Sequence, residues 1–380
     1  MYSLSGYGSL IADHKRMDAY IQALRQAVTP VSVVADLGTG PGIFALLACQ
    51  FGARKVYAIE PSDAIQVARE IAVANGYAGH IEFIQSLSTN VTLHERADVL
   101  VSDLHGVLPL FQHHILAIAD ARRRLLVPGG VMIPQHDTLW AAVVEAPALY
   151  SRLVAPWDEN SYGFDMQPAR RIMTNTWCKG RVAPEQLLVE PKCWAKLDYA
   201  TVDSPDVRAE VTWTVARAGT AHGLILWFDA TLTASVHFSN APGAPELIYG
   251  SAFFPFCTPV PLAVCDTVSV VLQAKLVRED YIWHWHTRIQ GCSGQSKAQF
   301  EQSTFYGVPL SPARLQKRAD THVPTLNEDG KVDRLILAFM SEDLALADIA
   351  CRVSAQFPNR FAARQEALAR VAELSEKYSQ

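Results

Sequence analysis

From Val31 to Pro147 short apolar runs alternate with amphipathic stretches. The runs over 31–37, 55–60, 81–85, 97–102 and 130–133 read as strands; helices fall over 43–51, up to Asn75-Gly76, and over 109–125. Such alternation predicts a mostly parallel sheet covered on both faces, with ligands bound beyond the carboxyl ends of its strands. Ahead of it, Ile11, Met17, Tyr20, Ile21 and Leu24 recur at roughly helical spacing, which predicts a helical cap between Tyr7 and Val28.

After Val127 to Pro134 the pattern changes. Thr138–Val144, Ala209–Val215, Leu224–Leu232, Leu247–Phe254 and Thr267–Val277 read as strands separated by turn residues, so an antiparallel barrel or sandwich is expected from 148 to 308. From Pro309 the chain turns polar, with Lys317-Arg318-Ala319-Asp320 in a linker, and then three helical stretches follow at Asp333–Met340, Leu344–Phe357 and Arg364–Lys377. The expected division is a helical cap over 1–30, an α/β domain over 31–147, a β domain over 148–308, and a linker with a small helical module over 309–380.

Composition narrows the classes. A length of 380 residues allows two or three domains, and 49% hydrophobic residues fit a well-packed chain. The net charge of −5 and the lack of a long basic block argue against nucleic acid as a partner. Arg122-Arg123-Arg124 is the one basic cluster and falls where a helix should end, so it reads as a solvated last turn. Cys49, Cys178, Cys193, Cys257, Cys265, Cys292 and Cys351 are scattered singly, which disfavours a disulfide framework or a zinc site and fits a reducing cytoplasm. No apolar run reaches membrane-spanning length, so no membrane role is expected.

The chemistry centres on Val33-Val34-Ala35-Asp36-Leu37-Gly38-Thr39-Gly40-Pro41-Gly42-Ile43. A strand enters a Gly-x-Gly-x-Gly turn and a helix follows, so backbone N–H groups and the helix's positive end face whatever lies above. The next strand ends in Glu60, followed by Pro61, where a nucleotide-binding unit places an acid for ribose hydroxyls. Asp36, Glu60, Ser88 and the Ser102-Asp103 loop all fall at strand carboxyl ends. Acids at Asp36 and Glu60 suit a ligand carrying an ammonium group better than a pyrophosphate, and this arrangement resembles the class I S-adenosylmethionine (SAM) methyltransferases.

Asp13-His14-Lys15-Arg16-Met17-Asp18-Ala19-Tyr20 carries Asp-x-x-Arg-x-x-x-Tyr. Farther on come Trp157 to Met166, Pro184-Glu185-Gln186-Leu187-Leu188, His222 to Asp229, and Ala241-Pro242-Gly243-Ala244-Pro245. Taken in that order with the glycine turn, they resemble the protein arginine methyltransferase family over about residues 7 to 290, in a divergent bacterial form. The resemblance implies a doubly wound SAM-binding sheet, an antiparallel β-barrel with a dimerisation arm near 160–190, and a homodimer. It also implies that Arg16 pairs with the methionine carboxylate of SAM, as a guanidinium can by two parallel hydrogen bonds.

The acceptor site departs from the family. Its loop carries two glutamates that hold a target guanidinium, and this chain offers Asp103 for the first and Gln112 for the second. The family's Thr-His-Trp loop is replaced by Leu247-Ile248-Tyr249. His105 lies in the first of these loops and reads either as a general base or as a water-exposed histidine; His113 and His114 are weaker candidates. Trp283-His284-Trp285-His286 reads as barrel packing, with the tryptophans on one face and the histidines on the other. The C-terminal helices resemble small winged-helix modules that grasp peptides, or else form a plain helical cap.

Three functions stay open: methylation of arginine, methylation of another small molecule or peptide, and a silent SAM-binding scaffold. The acceptor itself, whether protein, peptide or small molecule, is not legible in the sequence.

Overall fold

The computed structural model describes residues 3–159 and 162–379. Asn160 and Ser161, which fall in the motif from Trp157 to Met166, lie outside them. The chain divides into two compact units, Met1–Pro309 and Leu310–Gln380.

The first unit opens with two helices rather than one, α1 (Leu4–Ala12) and α2 (His14–Ala27). Asp13 breaks them apart: its carboxylate accepts from the Arg16 N–H at 3.2 Å and caps α2. The parallel strands follow as β1 (Val33–Leu37), β2 (Lys55–Ile59), β3 (Ile81–Ile84), β4 (Ala97–Ser102) and β5 (Leu126–Ile133). They lie in the order β3-β2-β1-β4-β5, and every neighbouring pair is parallel. Between them run α3 (Ile43–Gln50), α4 (Ala64–Ala74) and α5 (His114–Arg124). β1 is buried along its whole length, as an apolar strand covered on both faces must be.

The expected solvated arginine turn at the end of α5 is instead a staple. Arg122 donates to the carbonyls of Tyr199 and Val202, and Arg124 to those of Val91 and Ser88. Guanidinium forks satisfy loop carbonyls that the sheet leaves unpaired, which the position of the cluster at a helix end does not reveal.

The β domain starts at β6 (His136–Val144) and continues through the helical hairpin α6 (Pro147–Asp158) and α7 (Gln167–Met173). Then come β7 (Cys178–Gly180), β8 (Lys192–Asp198), β9 (Val207–Thr214), β10 (Gly219–Thr233), β11 (Val236–Ser239), β12 (Ser251–Leu262), β13 (Thr267–Val277), β14 (Asp280–Gln290) and β15 (Ser296–Ser303). One sheet runs β7-β12-β10-β6-β8 with β11 beside β10, and a second runs β15-β14-β13-β9. Both contribute to one core, and Trp285 Nε1 crosses between them to the Pro255 carbonyl at 3.2 Å. Trp283 and Trp285 are buried while His284 is exposed, so β14 alternates as expected. Leu247 to Gly250 lies outside β12, in a loop rather than the expected strand. Within the stretch expected to form the arm, β7 returns to the sheet and pairs with β12.

The second unit holds α8 (Pro312–Gln316), α9 (Glu328–Phe339), α10 (Leu346–Gln356) and α11 (Arg364–Tyr378). Asn327 caps α9 by accepting from the Gly330 N–H at 2.8 Å. Val332, Ile336, Ile349, Val353, Val371 and Leu374 form its own core. Among the described residues of this unit there is no strand, hence no wing.

Candidate active site

The glycine turn is built as the sequence implies. Gly38 and Gly40 adopt φ of 69° and 53°, left-handed values that side chains rarely take. Their faces are also occupied: a Cβ at Gly40 would lie 2.5 Å from the Tyr7 ring, and one at Gly38 2.5 Å from Leu104 Cδ2. The turn therefore touches α1 on one side and the loop after β4 on the other. Gly42 precedes α3 and has no side chain to cap it; of the helix's first N–H groups, that of Ala45 is taken by Asp36.

Two acids frame the turn. Asp36 is fully buried; its Oδ2 accepts from Thr39 Oγ1 at 2.5 Å and the Ala45 N–H at 3.0 Å, while Oδ1 has no partner. Burial pushes its carboxyl up to about 7, against the lowering effect of those two hydrogen bonds. Glu60 lies just past β2 and braces the turn from beneath, with Oε2 accepting from the Gly40 N–H at 3.1 Å and Oε1 from Ser62 at 3.0 Å. Each oxygen keeps a second lone pair for a hydroxyl donor. Pro61 is exposed beside it, and Ser88 is half-buried. Ser102, at the end of β4, is buried with an unpartnered hydroxyl, and its carbonyl accepts from Tyr20 at 3.1 Å.

Arg16 is not free. It is 3% exposed, lies over the rings of Tyr20 and Phe44, and forms an ion pair with Asp103 through Nη2. Its Nε also donates to Asp103 Oδ2 at 2.5 Å and to the Tyr249 hydroxyl at 3.1 Å; Nη1 donates to the Leu10 carbonyl at 3.0 Å. Phe44 is in the first turn of α3, directly after the glycine turn. Glu60 thus contacts the glycine turn directly, while Arg16 pairs with Asp103 and reaches the residues just after the turn through Phe44.

Asp103 accepts from the Tyr249 hydroxyl, 2.7 Å from Oδ2, and from His105 Nδ1 at 2.8 Å. His105 Nε2 meets Asp137 Oδ2 at 2.8 Å, and the same oxygen accepts from the Tyr199 hydroxyl. Each ring nitrogen of His105 thus faces a carboxylate oxygen, an arrangement that suits the doubly protonated ring. Burial lowers its pKa, yet Asp137 and Asp103 outweigh burial and raise it to about 10. Asp103 itself, although buried, is held well below the usual carboxylate range by Arg16 and His105.

Two side chains sit differently from what the sequence suggests. His105 is not water-exposed: its side chain is fully buried, between two carboxylates that favour the protonated ring. Gln112 takes no part in the buried network among the described residues. It is exposed, with a left-handed φ of 43°. His114 lies at tilted angles to the rings of His105 and Tyr199, and burial with the His105 charge pushes it down to about 4. His113 is exposed and meets the Arg278 carbonyl at 2.7 Å. Sequence reading missed Asp137 of β6 and Tyr199 of the turn after β8, and it gave Tyr249, in the loop before β12, only as part of a replaced loop with no role of its own.

Two family models match the chain. The arginine methyltransferase oligomerization subdomain covers residues 135–288, and the ribosomal protein L11 methyltransferase (PrmA) covers residues 12–146. Protein arginine N-methyltransferase 2 of Homo sapiens is 30% identical over 305 residues, spanning 74% of this chain and 68% of that protein. The probable protein arginine N-methyltransferase 6 of Arabidopsis thaliana is 29% identical over 245 residues, 62% of this chain, which spans 55% of the relative's length. Among solved structures, Arabidopsis thaliana protein arginine methyltransferase 10 superposes with a TM-score of 0.71 at 24% identity, covering 79% of this chain and 97% of that one. The Trypanosoma brucei PRMT1 enzyme-prozyme heterotetrameric complex with AdoHcy gives a TM-score of 0.71 at 21% identity, over 78% and 96% of the two chains.

Proposed function

The chain belongs to the protein arginine N-methyltransferase family, and from that premise we propose that it moves the methyl group of SAM onto a guanidino nitrogen of arginine, in a protein, a peptide or a small molecule. The observation that carries this reading is that Asp103 already holds a guanidinium, that of Arg16, beside the Tyr249 hydroxyl.

The residues present fit SAM. Asp36 has a buried oxygen without a partner, and the left-handed Gly38 and Gly40 keep the turn's backbone free of side chains. Arg16 would hold the cofactor's carboxylate, Asp36 its ammonium and Glu60 its ribose hydroxyls. Gly38, Gly40 and Gly42 would give backbone access, with Pro61, Ser88 and Ser102 at the rim. When bound, SAM supplies an electrophilic methyl on a positively charged sulfur. Arg16 turning from Asp103 leaves that carboxylate open to an acceptor guanidinium, and positioning of the acceptor nitrogen is then the main contribution of the protein.

A second reading has its own observation. Arg16 and His105 carry two positive charges against the two negative charges of Asp103 and Asp137, so the buried cluster is already balanced. A neutral amine or hydroxyl acceptor adds no uncompensated charge there, whereas a guanidinium does. Tritiated-methyl transfer separates the two. Label on arginine-rich peptides supports the first reading; label only on neutral metabolites, with arginine peptides inert, overturns it.

The protein is further proposed to act in the cytoplasm as a homodimer through the α6–α7 hairpin. Tyr162 and Phe164 between those helices are 87% and 72% exposed, which suits contact with a second copy. No helix among the described residues is long and apolar enough to cross a membrane. Sedimentation of the wild type against Y162S/F164S tests the dimer: an unchanged coefficient at all concentrations removes the proposal.

A further inference from the structure

Cys265 lies in the turn between β12 and β13, and Cys292 in the turn between β14 and β15. The antiparallel ladder of β13 and β14 ends with Thr267 opposite Gln290, so the same register carried two residues further sets Cys265 opposite Cys292. The side chains agree with the register. Cys292 Sγ donates to the carbonyl of Val264, the residue next to Cys265, at 3.2 Å, and lies 3.8 Å from Asp266 Oδ1.

Both turns are pinned. Cys265 has φ of 77° and donates its N–H to the Val215 carbonyl at 3.1 Å; Asp266 is held by Lys297 Nζ at 2.6 Å. Both cysteines are free and exposed. Desolvation, the Cys265 thiol and Asp266 raise the Cys292 thiol above its ordinary value, so the two thiols are close enough to interact directly.

We propose that Cys265 and Cys292 are a redox modification site that closes to an intramolecular disulfide on reaction with a peroxide. The Cys265 thiolate attacks one peroxide oxygen; an S–O bond forms, the O–O bond breaks and hydroxide leaves. Cys292 sulfur then attacks the sulfenic sulfur, forming S–S and breaking S–O, and water departs with the Cys292 proton. The two sulfurs together give up two electrons, and hydrogen peroxide takes them. No residue assigned to the cofactor or the acceptor lies in either turn.

The full chain is treated with hydrogen peroxide, its remaining thiols are alkylated, and the digest is mapped by mass spectrometry. The expected product is one linked pair of peptides bearing Cys265 and Cys292, two hydrogens lighter than the separate peptides and abolished by dithiothreitol. Cys193 and Cys351, also exposed, act as internal references and stay unlinked. In Cys292→Ser the linked pair disappears and dimedone labelling of Cys265 rises several-fold. Alkylation of both Cys265 and Cys292 at peroxide doses that oxidise Cys193 or Cys351 overturns the proposal, as does linkage of Cys265 to any other cysteine.

Discussion

Arg16 of α2 and Asp103 of the loop after β4 form a buried ion pair, with side chains 4% and 5% exposed. A buried guanidinium stripped of its carboxylate destabilises a fold by about 3–5 kcal/mol. Asp103→Asn should therefore lower the unfolding free energy from urea titration by that order while keeping the shape of the side chain. It should also lower methyl transfer about 100-fold, as loss of a preorganised charge contact does, and leave SAM affinity equal or tighter, because Arg16 no longer divides its donors. Calorimetry beside a transfer assay checks this. If affinity and transfer fall together, Asp103 contacts the cofactor instead of the acceptor.

Tyr249 bridges the same pair, donating to Asp103 at 2.7 Å and accepting from Arg16 at 3.1 Å. Hydrogen bonds to charged groups contribute about 1.5–3 kcal/mol each. Tyr249→Phe should reduce transfer about tenfold through a less well oriented Asp103, on the scale of one such bond, with SAM affinity within about twofold. A loss confined to thermal stability, with turnover intact, would make Tyr249 a packing residue only.

The parts of the site carried by local pattern were legible in the sequence. Arg16 was singled out by its resemblance to a family segment, while Asp36, the glycines and Glu60 sit in a short motif whose spacing follows from strand, turn and helix. The parallel sheet and the β13 and β14 strands were legible for the same reason. Asp137, Tyr199 and Tyr249 carry no such spacing: the fold brings them to Asp103 from 34, 96 and 146 positions away, which only tertiary packing decides. No signal marked Asp137: it stands between His136 and Thr138 at the polar start of β6, and only the fold shows that it is buried, where an acid requires a partner. His105 was misread because a loop position says nothing about the two carboxylates that enclose it.

Those carboxylates make stability depend on pH. The His105 pKa rises from 6.5 to about 10 on folding, so its contribution is fully present below about pH 6.5 and disappears as pH climbs through about 10. The contribution is at most about 3–5 kcal/mol by linkage. Wild-type urea midpoints should fall steadily from pH 6.5 to 10, and His105→Gln should flatten that slope. Equal slopes in the two proteins would mean that the ring is neutral in the native state.

Asp36 gives the opposite dependence, and in binding rather than folding. Its carboxyl is raised to about 7 by burial, so near neutral pH it is only partly ionised, whereas an ammonium ligand requires the charged form. Below that pH protonation must be reversed for SAM to bind, so affinity should weaken as pH falls, on the order of 20-fold between pH 7.5 and 5.5 for a single such group. Asp36→Asn removes the titrating group and should bind SAM more weakly at pH 7.5 but with little pH dependence. Calorimetry at four or five pH values distinguishes the two curves. A flat wild-type profile would assign the cofactor's ammonium to another partner, since no carboxylate half-protonated at neutrality can hold a cation without recording the proton it loses.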